Sequence, residues 1–139
     1  MSDFAYLTPT QALENLHAGL SLQQWLGVRE SDGFRFIRWL EIDRTSEGWT
    51  VYLSDSLDCG DLDHGDMTEF HNDNDPDCPE GIPYSCKAVD EALAICAELG
   101  CLPDRYVKFC EIQSIYQKYL RVAGPPKRNP REYFTDWAT

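Results

Sequence analysis

The sequence predicts an α+β fold: a small antiparallel sheet of about three strands, packed by N-terminal and C-terminal helices and carrying a long acidic loop. Three observations predict it. Apolar residues recur at helical spacing near both ends of the chain. Between Phe34 and Ser54 the period drops to two, as a pleated strand requires. Residues 71–84 then carry three prolines, a glycine and a run of acids, which suits neither element.

The elements follow in order. Thr8-Pro9 opens the first helix, with a hydroxyl as cap and proline in the first turn, where no N–H bond is lost. Ala12, Leu13 and Leu16 form its apolar stripe, and Gly19 supplies the left-handed residue that ends it. Ser21 caps a second short helix through Leu22, Trp25 and Leu26 to Gly27. Phe34, Phe36, Leu40 and Ile42 then alternate with Arg35, Ile37, Trp39, Glu41 and Asp43, and Arg38 interrupts the apolar face as a bulge or an ion pair would. Trp49, Val51 and Leu53 oppose Thr50, Tyr52 and Ser54. The link Thr45-Ser46-Glu47-Gly48 makes residues 34–44 and 49–55 a hairpin. Two strands alone are marginal, and Met67–Phe70 is the expected third. Ser85 caps a helix to Leu99, buried through Val89, Ala92, Leu93 and Cys96 and stopped by Gly100. Tyr106, Val107 and Phe109 read as a short strand or an irregular packed segment. Ile112, Ile115, Tyr116, Tyr119 and Leu120 predict an amphipathic helix over 110–122. Gly124-Pro125-Pro126 breaks it. The division expected is one domain, 1–124, and a C-terminal tail, 125–139, whose Lys127, Arg128 and Arg131 fold back onto the acidic stretch.

Charge is the functional signal. The chain holds 24 acids and 12 bases, a formal net charge of −12. Eleven of those acids lie between Thr45 and Cys86, where there is no Lys or Arg. The rest of the chain is nearly neutral. Such a stretch opposes a phosphate backbone, so direct nucleic-acid binding is not expected. It suits a basic protein, with which carboxylates make charge-assisted hydrogen bonds. The candidate partner-binding residues are Asp55, Asp58, Asp61, Asp63, Asp66, Glu69, Asp73, Asp75 and Asp77, with Trp39, Trp49 and Tyr52 as aromatic anchors if they line a sheet face. The bland counterpart is a solvated face kept for solubility.

Other chemistry is weaker. An EF-hand register from Asp73 puts Cys78 where glycine belongs and Tyr84 where the bidentate acid belongs; from Asp61, Gly65 falls one position early. Cys59, His64, His71 and Cys78 are zinc-type ligands without the usual tight pair. A calcium or zinc loop at 55–80 stays as the alternative reading, and neither metal nor cofactor is expected. Six cysteines include no Cys-x-x-Cys. Cys86 follows the Ser85 cap without a histidine base and reads as a packed thiol. No Gly-rich phosphate loop, Gly-x-Ser-x-Gly or His-Glu-x-x-His occurs, so no enzyme is expected. No apolar run spans a bilayer and the N-terminus does not read as a signal peptide, which places the chain in the cytosol with reduced thiols.

Small size, acidity and a cytosolic character make the chain resemble inhibitors that neutralise basic nucleases, including bacterial immunity proteins. The resemblance is one of charge and size, and it implies charge complementarity with a basic toxin or nuclease as the mode of action.

Overall fold

The computed structural model describes residues 5–60, 67–70, 72–73, 81–130 and 132–133. Helix α1 (Pro9–His17) starts at Thr8, whose side chain accepts from the Gln11 amide at 3.1 Å while the Gln11 side chain accepts from the Thr8 amide at 2.9 Å. Five strands follow: β1 (Leu22–Ser31), β2 (Phe34–Thr45), β3 (Gly48–Leu57), β4 (Ile82–Cys86) and β5 (Val107–Lys108). They form one antiparallel sheet in the order β4-β3-β2-β1-β5. Helix α2 (Val89–Glu98) precedes β5, and α3 (Glu111–Ala123) follows it.

The expectation of about three strands is thus an undercount, and three local readings change. The helix expected over 21–27 is the start of β1. Leu22, Trp25 and Leu26 have helical spacing, but the strand begins with Leu22, Gln23 and Gln24 all buried, so no alternation shows there. The amides of Gln23 and Gln24 are satisfied by Glu41, Leu102 and Cys110. Asp32-Gly33, with φ of 53° and 83°, closes the β1–β2 hairpin. The bulge suspected at Arg38 lies in β1, where Leu26 is the extra residue before Gly27 pairs with Arg38.

Met67–Phe70, expected as a strand, is a 3-10 turn over Met67–Glu69. Met67 and Phe70 are three residues apart and enter the same core, as three residues per turn allows. The loop expected over 71–84 gives up its end to β4, an edge strand that tolerates Pro83. Ser85 therefore lies in a strand, and α2 begins at Ala88 without a side-chain cap. Asp90 and Glu91 in its first turn favour the positive end of the helix dipole.

The sheet is buried on both faces. Leu22, Leu40, Ile42, Trp49 and Val51 pack with Leu16 of α1 and with Ala92 and Cys96 of α2. The opposite face sets Ile37, Trp39 and Val107 against Ile112, Ile115, Tyr116 and Leu120 of α3, with Met67 and Phe70 filling its margin. A third cluster joins Phe34, Phe36 and Leu57 to Tyr133.

Candidate functional site

The acidic stretch is tied to the second half of β3. Asp58 follows that strand and is fully buried. Its carboxylate accepts from Arg35 Nε at 2.6 Å and from the Tyr116 hydroxyl at 2.5 Å, while a third bond comes from the Gly60 amide at 2.8 Å. Arg35 also donates to the Gly124 carbonyl at 2.7 Å. A buried guanidinium needs such a counter-charge. Burial, and then the Asp58 carboxylate, push the Tyr116 hydroxyl well above its ordinary value.

The other face of β3 holds a second cluster. Arg29 reaches Asp55 Oδ2 and Asp73 Oδ2, each at 2.6 Å, and the Tyr133 hydroxyl donates to Asp73. Hydrogen bonding to Asp55 leads the effects that hold the Arg29 guanidinium protonated. Burial, then Asp73, push Tyr133 up to about 12. Asp55 Oδ1 and Ser54 Oγ are buried without a hydrogen-bond partner.

Between these clusters the chain crosses the half of β3 that β4 does not reach. Asn72 bridges to Ser56, and its side chain accepts from the Asp55 amide at 2.7 Å. The Asp73 amide donates to the Asp55 carbonyl at 2.9 Å. Asn72 and Asp73 thus cover part of an otherwise open sheet edge. Gly81, at φ 83°, re-enters so close to β3 that a Cβ would lie 2.7 Å from Ser54 Oγ. Among the described residues, the contacts of 58–81 with β3 and the residue after it fall between Leu53 and Asp58, about 17 Å of extended chain.

These placements sort the expected binding residues. Asp58 faces the interior and acts as a counter-ion. Asp55 and Asp73 are committed to Arg29. Trp39 and Trp49 belong to the core, on opposite faces of the sheet, and Trp39 Nε1 donates to Ser56 Oγ at 3.0 Å. Neither serves as an exposed anchor. Tyr52 is half-buried, opposite Glu41 on one side and Pro83 on the other. Asp61, Asp63, Asp66, Asp75, Asp77 and the Glu69 side chain lie outside the described residues, as do His64, His71, Cys78 and Arg131. Lys127 faces Glu30 at 3.9 Å and Arg128 contacts Asp32 and Glu132, so the described tail bases do not meet the acidic stretch.

The sequence reading did not single out Arg29, Asn72 or Tyr116 as partners of this stretch. The signal available was Arg35, a charge set between Phe34 and Phe36. Cys86, ending β4 rather than starting a helix, is raised by burial and then by Glu91. Among the described residues no three His, Cys, Asp or Glu side chains are grouped as metal ligands, and no helix is long and apolar enough to cross a membrane.

No family model matches the chain, and no curated protein or solved structure does. What the surface can do follows from its own chemistry. Among the described residues, three of the eleven acids are answered by two guanidiniums. The remaining eight carry a formal charge of −8, and seven of them occupy residues 61–80.

Proposed function

We propose that this chain is an acidic protein-binding module that engages a basic protein by charge complementarity, as an inhibitor or immunity-type protein would engage a toxin or nuclease. One observation carries the reading. Eleven of the 24 acids, and no Lys or Arg, fall between Thr45 and Cys86, so the chain's net negative charge is concentrated in one stretch. The anchoring acids Asp55, Asp58 and Asp73 hold the stretch; the others supply the field. A concentrated field of this kind speeds encounter with a cationic surface and discriminates against anionic ones.

The test uses two forms of the full chain, the parent and a variant with Asp61, Asp63, Asp66, Asp75 and Asp77 changed to Asn. Proteins from the source cell retained by the parent are identified, purified and measured for association rate against salt. The reading requires a basic protein whose association slows steeply as the Debye length falls from about 10 Å at 0.1 M to about 3 Å at 1 M. The variant should associate more slowly at low salt and lose most of that dependence. Equal retention of every protein by both forms, with equal salt slopes, would leave the acids a solubilising surface only.

A further inference from the structure

Helix α2 ends in a paired hydrogen-bond motif. The Gly100 amide, at φ 106°, donates to the Ala97 carbonyl at 3.1 Å, and the Cys101 amide donates to the Cys96 carbonyl at 2.9 Å. This geometry brings the third-last helical side chain against the second residue beyond the cap, a contact commonly hydrophobic. Here both positions are cysteine. Both lie with Tyr106 in one buried core cluster. Both are free thiols in this structure. Gln24 fixes the next residue, accepting from the Leu102 amide at 2.7 Å and donating to its carbonyl at 2.9 Å. The two cysteines are therefore held together by the fold, five positions apart in sequence.

The two thiols differ in access. Cys96 is fully buried, whereas Cys101 lines a cavity of about 200 Å³ with Tyr106 and the apolar surfaces of Pro9, Ala12, Leu93 and Pro103. They also differ in acidity. Hydrogen bonding from Cys96 pulls Cys101 below the ordinary thiol value, with Tyr106 and Arg38 adding to it. Its hydrogen bond to Cys101, then burial, push Cys96 far up. A thiol at the wall of a cavity, with a second thiol fully buried behind it, is the arrangement of an attacking and a resolving cysteine.

We propose that Cys101 and Cys96 form a thiol–disulfide exchange site for low-molecular-weight disulfides with compact, uncharged arms. Cys101 Sγ, as thiolate, attacks one sulfur of the entering disulfide. The reagent's S–S bond breaks, and the first leaving thiolate takes a proton, balancing the one Cys101 gave up. Cys96 Sγ then attacks Cys101 Sγ and expels the second arm, which leaves with the Cys96 proton. Two protein thiols and one small disulfide become one protein disulfide and two small thiols. Two electrons pass from the cysteines to the reagent. The apolar cavity is below the usual size of a drug-binding pocket, which selects compact arms. The net charge of −12 disfavours anionic ones.

The probe is 2-hydroxyethyl disulfide, added to the folded full chain, quenched with acid and followed by non-reducing peptide mapping. The expected result is loss of two thiols and a Cys96–Cys101 link, ahead of reaction at Cys59, Cys86 or Cys110. In Cys96→Ser the reagent should remain on Cys101 as a stable mixed disulfide. In Cys101→Ser the Cys96 thiol should stay unreacted until urea is added. Oxidised glutathione, larger and anionic, should react more slowly with the parent. The proposal is overturned if Cys59 or Cys110 reacts while Cys96 and Cys101 stay reduced in the folded chain. A mixed disulfide on Cys101 that persists in the parent would remove the resolving role, and equal rates with both reagents would remove the substrate class. The parent's map decides the pairing even if a serine variant does not fold. The outcome is independent of the acidic stretch, none of whose residues takes part.

Discussion

At the scale of single residues, the buried Asp58 carries the greatest consequence. Its carboxylate neutralises Arg35 inside the α3 face and also holds Tyr116 and the Gly60 amide. Breaking a buried pair by removing one charge leaves the other uncompensated. Asp58→Asn should therefore cost about 3–5 kcal/mol in urea unfolding, and adding Arg35→Met should recover part of that loss. A single-variant cost below about 1 kcal/mol would mean that water reaches the pair. Glu41 behaves differently. Burial first, then a hydrogen bond with Asp43, push it up to about 7, while the Gln23 amide works against the shift. The folded chain thus holds the Glu41 proton more tightly than the unfolded chain, whose ordinary value is 4.5. Its contribution is complete below pH 4.5 and disappears as pH rises through about 7. Glu41→Gln should flatten the melting-temperature profile across that window and stabilise the chain at pH 8. The gain should be on the order of 1 kcal/mol, since solvent screens a partly exposed group. An unchanged profile would assign the pH dependence elsewhere.

At the scale of elements, close approach of backbones sets what the turns can hold. Gly48 starts β3 at φ 153°, and a Cβ there would collide with the Cys86 carbonyl and lie 2.8 Å from Lys87 Cα. The hairpin and the end of β4 thus meet at a position with no room for a side chain. Gly48→Ala should destabilise by about 2 kcal/mol or more, read as a lower urea midpoint with an unchanged slope. Gly27 contrasts with it, since nothing lies within 4 Å of its Cβ site, at φ 142°. Its substitution strains the bulge without a collision, so Gly27→Ala should cost less than Gly48→Ala. The reverse order would show that β4 moves away easily.

At the scale of the whole molecule, the C-terminal segment closes the sheet margin that carries the acidic stretch. Tyr133 meets Phe34 and Phe36 edge-on, with ring centroids 5.1 and 5.2 Å away, and its hydroxyl binds Asp73. Arg128 lies 4.2 Å from the Phe34 ring centroid, and its amide donates to the Gly33 carbonyl at 3.0 Å. Removing residues 125–139 exposes two phenylalanines and frees one anchor of the stretch. The melting temperature should fall, by an amount equivalent to about 2–4 kcal/mol, and limited proteolysis should shift toward residues 61–80. An unchanged melting curve would mean that these contacts add nothing net. The charge test also belongs at this scale, because a field summed over many acids is a property of the surface rather than of any pair.

Much of the element pattern was legible in the sequence. The Thr8 cap, the period-two runs of β2 and β3 and the stripe of α3 are local patterns, set by side-chain spacing and capping chemistry within a few residues. The charge asymmetry was equally plain, since counting charges needs no coordinates. The strand Leu22–Ser31 was hidden because its first three residues, Leu22, Gln23 and Gln24, are all buried, which erases alternation. Its Asp32-Gly33 turn was the local clue that went unused. Met67–Phe70 could not be told from a strand until its two apolar side chains were seen entering one core. Long-range pairing also decided which acids are structural. Asp58 looks like Asp61 or Asp63 in the sequence, yet Arg35 is 23 residues away and Tyr116 is 58 away. Sequence periodicity reports the local demands of helix and strand, but only the tertiary structure settles which distant charge or thiol becomes a neighbour.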